Sequence, residues 1–186
     1  MLIWLIIAVL VVALVLFAIV AFNRLRTADV GVQEALGGID VHLTRRADLI
    51  PNLVSTVRGY AAHERGVFDE VTQARTGVTE AAATGSVGRK AAAQARLEMA
   101  LVDVLAVAEA YPDLKASANF QQLQNDLTDT ENKLAFARQY YNDATRALNE
   151  MVRTIPWMFF TGIAQVTQRP FYQAPADQGS PPTVQF

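Results

Sequence analysis

Apolar residues recur at alternating steps of three and four along most of the chain. The clearest run is Phe120, Leu123, Leu127, Thr130, Leu134, Ala137, Tyr141, Ala144, Leu148, Met151 and Ile155, in which only Thr130 is neither apolar nor aromatic. A seam of that length predicts a long helix packed along one face in the manner of a coiled coil. Ser117 or Asn119 could cap its start, and Pro156 closes its end. A helix is also predicted from about Ser86 to Ala110, with Ser86 as N-cap and Leu97, Leu101, Val104, Ala108 and Tyr111 along its seam. Its many alanines favour helix and let neighbours approach closely. Pro112 ends it, and Asp113 to Ala118 form a link. The first arm, from Asn23 to about Ala83, carries Leu43, Ala47, Ile50, Val54, Val57, Ala61, Phe68, Val71 and Val78 on the same spacing, interrupted by Glu64 and Arg75. Pro51 falls inside this arm, lacks an amide proton and crowds the carbonyl of Ala47, so a kink or a break is expected near it. A break would divide the arm into helices of more even length.

One stretch has no polar face at all. Leu2 to Phe22 contains no charged or polar side chain, and as a helix it extends roughly 31 Å, close to the hydrocarbon thickness of a bilayer. A cleaved signal peptide is the competing reading. It fits poorly: no Lys or Arg precedes the run, no A-x-A site follows it, and it exceeds the usual length of about 7–15 residues. An uncleaved membrane helix is therefore expected, with Trp4 as an interfacial aromatic at its outer end. Arg24 and Arg26 follow the other end, and Arg45 and Arg46 come soon after. The positive-inside rule then puts Met1 outside and the remainder in the cytoplasm.

Together these patterns predict an all-α chain: a transmembrane anchor over 1–23, an elongated up-and-down antiparallel bundle of three to four long helices over 24–168, and a Pro-rich extended or disordered tail over 169–186. The tail holds Pro170, Pro175, Pro181 and Pro182. Trp157, Met158, Phe159 and Phe160 could lie on the membrane as an interfacial segment. Capping of the open bundle end is the preferred expectation, because an interfacial helix usually carries Lys or Arg and none follows until Arg169.

Composition narrows the chemistry. With 16 Lys+Arg against 18 Asp+Glu the net charge is −2, which argues against nucleic acid as a partner. The absence of cysteine removes disulfides, zinc ribbons and thiol catalysis. His63-Glu64 begins like a zinc-protease HExxH, but Val67 occupies the second ligand position. Neither His42 nor His63 closes a Glu-x-x-His step. The serines lie in no G-x-S-x-G elbow, and Gly85 to Lys90 lacks the spacing of a phosphate loop. No metal, cofactor or small-molecule substrate is therefore expected, and a hydrolase using Glu64 with His63 is the weakest of the functions considered. The more informative residues are polar ones near the seams: Arg45, Arg46, Asp48, Pro51 and Asn52; Glu109, Tyr111 and Pro112; Glu131, Arg138, Tyr141 and Asn142. They read either as a face for a partner or as ion pairs and hydrogen bonds that fix helix register, with register preferred.

Two of these stretches resemble the LemA family. The first runs from Ile39 through Arg45-Arg46-Ala47-Asp48-Leu49-Ile50-Pro51-Asn52 to Val54, continuing as Gly59-Tyr60-Ala61-Ala62-His63-Glu64. The second joins Glu109-Ala110-Tyr111-Pro112-Asp113-Leu114-Lys115 to Asn119-Phe120, Thr130-Glu131 and Ala137-Arg138-Gln139-Tyr140-Tyr141-Asn142. Ile155-Pro156 and Arg169-Pro170-Phe171-Tyr172 extend the likeness to about residue 172. The Trp157-Met158-Phe159-Phe160 run departs from the commoner pattern. The resemblance implies a single-pass bacterial membrane protein with an antiparallel helical bundle, N-terminus outside, no recognised catalytic residues, and neighbours among membrane-bound proteases and other envelope proteins. The expectation is a non-enzymatic scaffold or adaptor, bound to lipid through residues 2–22, engaging protein partners or further copies of itself, and assisting membrane-protein assembly or proteolysis. A sensor that passes a signal through a kink at Pro51 is the alternative.

Overall fold

The computed structural model describes residues 1–173, and every regular element among them is helical. They are α1 (Leu2–Arg58), α2 (Arg65–Thr84), α3 (Val87–Glu109), α4 (Pro112–Ala116), α5 (Ala118–Arg153), a 3-10 turn at Trp157–Phe160 and α6 (Thr161–Ala164). Pro175, Pro181 and Pro182, on which the tail was read as extended or disordered, lie outside the described residues. Packing groups the chain into two compact units. One comprises Met1–Leu36 with Gln139–Phe171, the other Gly37–Arg138 with Tyr172.

In the second unit four helices share one core. Leu43, Ala47, Ile50, Val54 and Val57 of α1, Phe68, Val71 and Val78 of α2, Leu97, Leu101, Val104 and Ala108 of α3, and Phe120, Leu123, Leu127 and Leu134 of α5 are all buried, as the three-four spacing requires. Their directions follow from the polar pairs between them. Asn119 Nδ2 at the start of α5 donates to Thr56 Oγ1 near the end of α1, at 3.1 Å. Further along α5, Glu131 meets Arg46, which lies earlier in α1, so the two helices run antiparallel. Between α2 and α3 the chain turns at Gly85 and Ser86. A Cβ on Gly85 would stand 2.5 Å from the carbonyl oxygen of Ala81, which leaves room only for glycine. Ser86 caps α3 as expected, its Oγ accepting from the amide of Arg89 at 3.4 Å.

Three expectations need correction. The first arm does break, but after Arg58, at residues 59–64, and Pro51 stays inside α1. Its ring removes the amide that would bond the Ala47 carbonyl, and Arg75 of α2 replaces it, Nε donating to that oxygen at 3.0 Å. Arg75 thus does not interrupt the seam for nothing. Pro112 opens a short helix, α4, where a plain link was expected; proline is well suited to a first helical position. Finally, Ile155 lies beyond the end of α5 and is 72% exposed, and the buried seam runs from Tyr141 to Thr145 to Leu148 without Ala144.

The Arg75 bond gives a direct prediction. Arg75→Met should cost about 1–3 kcal/mol, the penalty of leaving the Ala47 carbonyl unsatisfied. Adding Pro51→Ala, which restores an amide at that position, should recover much of the loss. Chemical denaturation of the two variants measures this; equal stability of single and double variants would refute the coupling.

In the first unit α1 and α5 pack through Ala21, Leu25 and Val32 on one side and Tyr141, Thr145 and Leu148 on the other, joined by Ala164 and Val166. After α6 the backbone turns through Gln165 at φ 52° into an extended segment. Upstream of Ala21, nearly every side chain from Leu2 to Val20 is exposed. This part of α1 reaches a mean hydropathy of 3.5 and is long and apolar enough to cross a membrane.

Candidate functional site

The polar residues singled out in the sequence separate into buried or half-buried groups and groups exposed on the helix surfaces. In the second unit, Arg46, with its side chain 8% exposed, meets Glu131 at 2.7 Å, and Arg138 approaches the other carboxylate oxygen at 3.5 Å. One carboxylate on α5 thereby answers a buried guanidinium from α1. Arg46 and Glu131 border a shallow pocket with Glu98, Leu101, Val102, Leu105 and Leu127. Arg45 and Asp48, by contrast, are exposed and line a shallow groove with Asp40, Val41, Thr44 and Thr79. Pro51 and Asn52 are exposed on α1. Glu109 pairs with Lys115 at 2.6 Å on the surface, half-buried Tyr111 precedes α4 without a side-chain capping bond, and Pro112 follows it. His63 and Glu64 are exposed in the turn after α1.

Several buried polar residues escaped the sequence reading. Lys90, with its side chain 5% exposed, pairs with Asp40 of α1 and donates to the carbonyl of Ala82 at 3.0 Å. Gln94, one turn on, accepts from the hydroxyl of Tyr172 at 2.8 Å. Burial pushes the Tyr172 phenol well above its ordinary value, Arg138 opposing this while Asp40 and Glu131 add to it. The phenol therefore remains a donor. Lys90, Gln94, Leu97 and Leu101 continue the three-four spacing, so two polar groups standing on a seam were the available signal.

The first unit holds a matching set. Asp29, 4% exposed, receives Arg169 through Nη2 at 2.7 Å and Nε at 2.8 Å, with Gln33 donating to its other oxygen at 3.0 Å. Asn149 grips the backbone of Arg169 twice, accepting from its amide at 2.8 Å and donating to its carbonyl at 2.9 Å. Tyr141 donates to the carbonyl of Pro170 at 2.7 Å. Burial raises the Tyr141 pKa, against the opposing effects of Thr145 and Arg169. Half-buried Asn142 lies beside it on α5. Residues 169–171 thus form a strap tied down at 169 and 170, in part through backbone groups whose bonds do not depend on the side chain, which hides them from a residue-by-residue reading.

Chemically, these groups neutralise one another. Each carboxylate, Glu131, Asp40 and Asp29, faces a guanidinium or an ammonium from another segment of the chain.

Residues 35–186 match the LemA family. The chain belongs to the LemA family. Both stretches that carried the resemblance lie within the matched residues. Among its relatives, a protein named Magnetosome protein MamQ 2 from Paramagnetospirillum magneticum is 25% identical over 186 aligned positions, covering 88% of this chain and 68% of the relative. Magnetosome protein MamQ from Magnetospirillum gryphiswaldense is 24% identical over 191 positions, covering 89% and 70%. A LemA-family helical bundle joined to an exposed apolar helix is a membrane-associated protein.

Proposed function

We propose that this LemA-family chain is a membrane-anchored, non-enzymatic scaffold or adaptor of the bacterial envelope. Residues 2–22 cross the inner membrane once, with Met1 outside and the bundle in the cytoplasm. Its outer surfaces engage other membrane proteins or further copies of the chain, assisting their assembly or proteolysis. The observation that carries this reading is α1 itself: one helix supplies both an exposed apolar rod and a share of the bundle core. The pairing of Arg46 with Glu131, Lys90 with Asp40 and Arg169 with Asp29 supports it further, since their charges serve the fold. Tethering to a common bilayer raises the effective concentration of neighbouring copies and favours weak association.

The sensor alternative draws on Pro51. Arg75 satisfies the carbonyl that Pro51 leaves open, which favours a fixed structural role over a moving joint, and we do not adopt that reading.

Crosslinking in native membranes, followed by affinity purification and mass spectrometry, tests the scaffold. Discrete higher-mass species or reproducible membrane-protein partners are expected. Monomers alone, with nothing co-purifying, would count decisively against it. A topology reporter fused after Phe186 should read as cytoplasmic.

A further inference from the structure

The aromatic segment after α5 was expected to cap the bundle, because it carries no cation of its own. The structure supplies the cation from elsewhere. Trp157 stacks on Phe17 with ring centroids 6.3 Å apart, Phe160 meets the same ring edge-on at 5.7 Å, and the Arg24 guanidinium lies 4.9 Å from the centre of Trp157. Trp157 is therefore bracketed by the last turns of the apolar rod and by the first charge that follows it. Phe17 lies about 8 Å along the helix from Phe22, where the apolar run ends. Rings that touch Phe17 share its depth.

A cap would hide its apolar side chains. Here Ile155 is 72% exposed, Phe159 68%, Ile163 72% and Met158 42%. Exposed apolar groups gathered on one short segment mark an interaction surface. Their continuity with the apolar rod identifies what covers them. Interfacial segments sink about 5–10 Å into the boundary between headgroups and acyl chains, which is the depth that Phe17 sets. Tryptophan favours that zone, and an arginine over its ring can keep its charge toward the headgroups while its stem stays apolar.

We propose that residues 155–163 form a second membrane contact, a foot embedded in the headgroup–acyl boundary beside α1, its occupant the phospholipid bilayer. The inference rests on the reading of residues 2–22 as a membrane span. The foot gives α1 a lateral contact at the point where it leaves the bilayer.

The chain has two tryptophans, and they report separately on the span and on the foot. Trp4→Phe leaves Trp157 as the sole emitter; Trp157→Phe leaves Trp4. Each full-length variant is reconstituted into phosphatidylcholine vesicles carrying brominated acyl chains, with bromines either near the headgroup or near the chain end. The Trp157 reporter is expected to show blue-shifted emission, to lose most of it to the shallow bromines, and to lose less to the deep ones. The Trp4 reporter should also be quenched. If Trp4 is quenched and Trp157 is not, the foot is refuted and the span stands. If neither is quenched, the span fails and the foot with it.

Discussion

Replacing Asp40 with alanine should destabilise the helical bundle by about 3 kcal/mol, because it leaves the Lys90 ammonium buried without its counter-charge. Lys90 has a side chain only 5% exposed, while Asp40 is 28% exposed. That opening toward solvent puts the expected cost at the lower end of the range for a broken buried pair. One hydrogen bond survives, to the carbonyl of Ala82. For a chain of this length the loss corresponds to a melting temperature lower by roughly 6–12 °C. The informative companion is Asp40→Ala with Lys90→Met. Removing both charges replaces the pair with apolar packing, which is often close to neutral. Thermal unfolding in detergent should therefore show the double variant well above the single one. Equal losses would mean that Lys90 finds water or another partner and that the pair does not hold α3 to α1.

Arg169→Ala should act more locally. It strips two donors from Asp29, whose side chain is 4% exposed, and leaves Gln33 donating to that carboxylate. The expected cost is again about 3 kcal/mol, concentrated in the strap. Hydrogen exchange at residues 166–171 should accelerate roughly a hundredfold, since each 1.4 kcal/mol is a factor of ten. The Arg169 amide, held by Asn149 at 2.8 Å, is the site to watch. Arg169→Lys should recover part of the protection, because an ammonium restores the charge but cannot present two donors in a fixed fork. Unchanged exchange in the alanine variant would show that Asn149 and Tyr141 hold the strap without Arg169.

Much of the bundle was legible because it depends on local periodicity. The seams through Leu43 to Val57, Leu97 to Ala108 and Phe120 to Leu134 are all buried, and the Ser86 cap was readable from its position ahead of a helix. The break in the first arm was misplaced for a physical reason. Proline inside a helix is costly only if the freed carbonyl goes unsatisfied, and the donor that satisfies it sits on another helix, at Arg75. Among the polar residues, Arg46, Glu131 and Arg138 were singled out and do come together. Asp29 with Arg169 and Asp40 with Lys90 were not singled out, and each partner sits on another segment of the chain. Nothing in the local pattern specifies such a partner. The cation beside the aromatic run was hidden in the same way, since Arg24, which lies over Trp157, belongs to α1.

The buried positions of α5 hold one more consequence. From Phe120 to Ala137 the steps alternate between three and four, but Ala137 to Tyr141 and Tyr141 to Thr145 are two fours in succession. That is a stutter, equivalent to four residues inserted into a heptad frame, and it locally relaxes the left-handed supercoil that strict heptads impose. Excising four residues around Tyr141 would return the helix to an unbroken frame, whereas excising two would rotate Leu148 away from its partners.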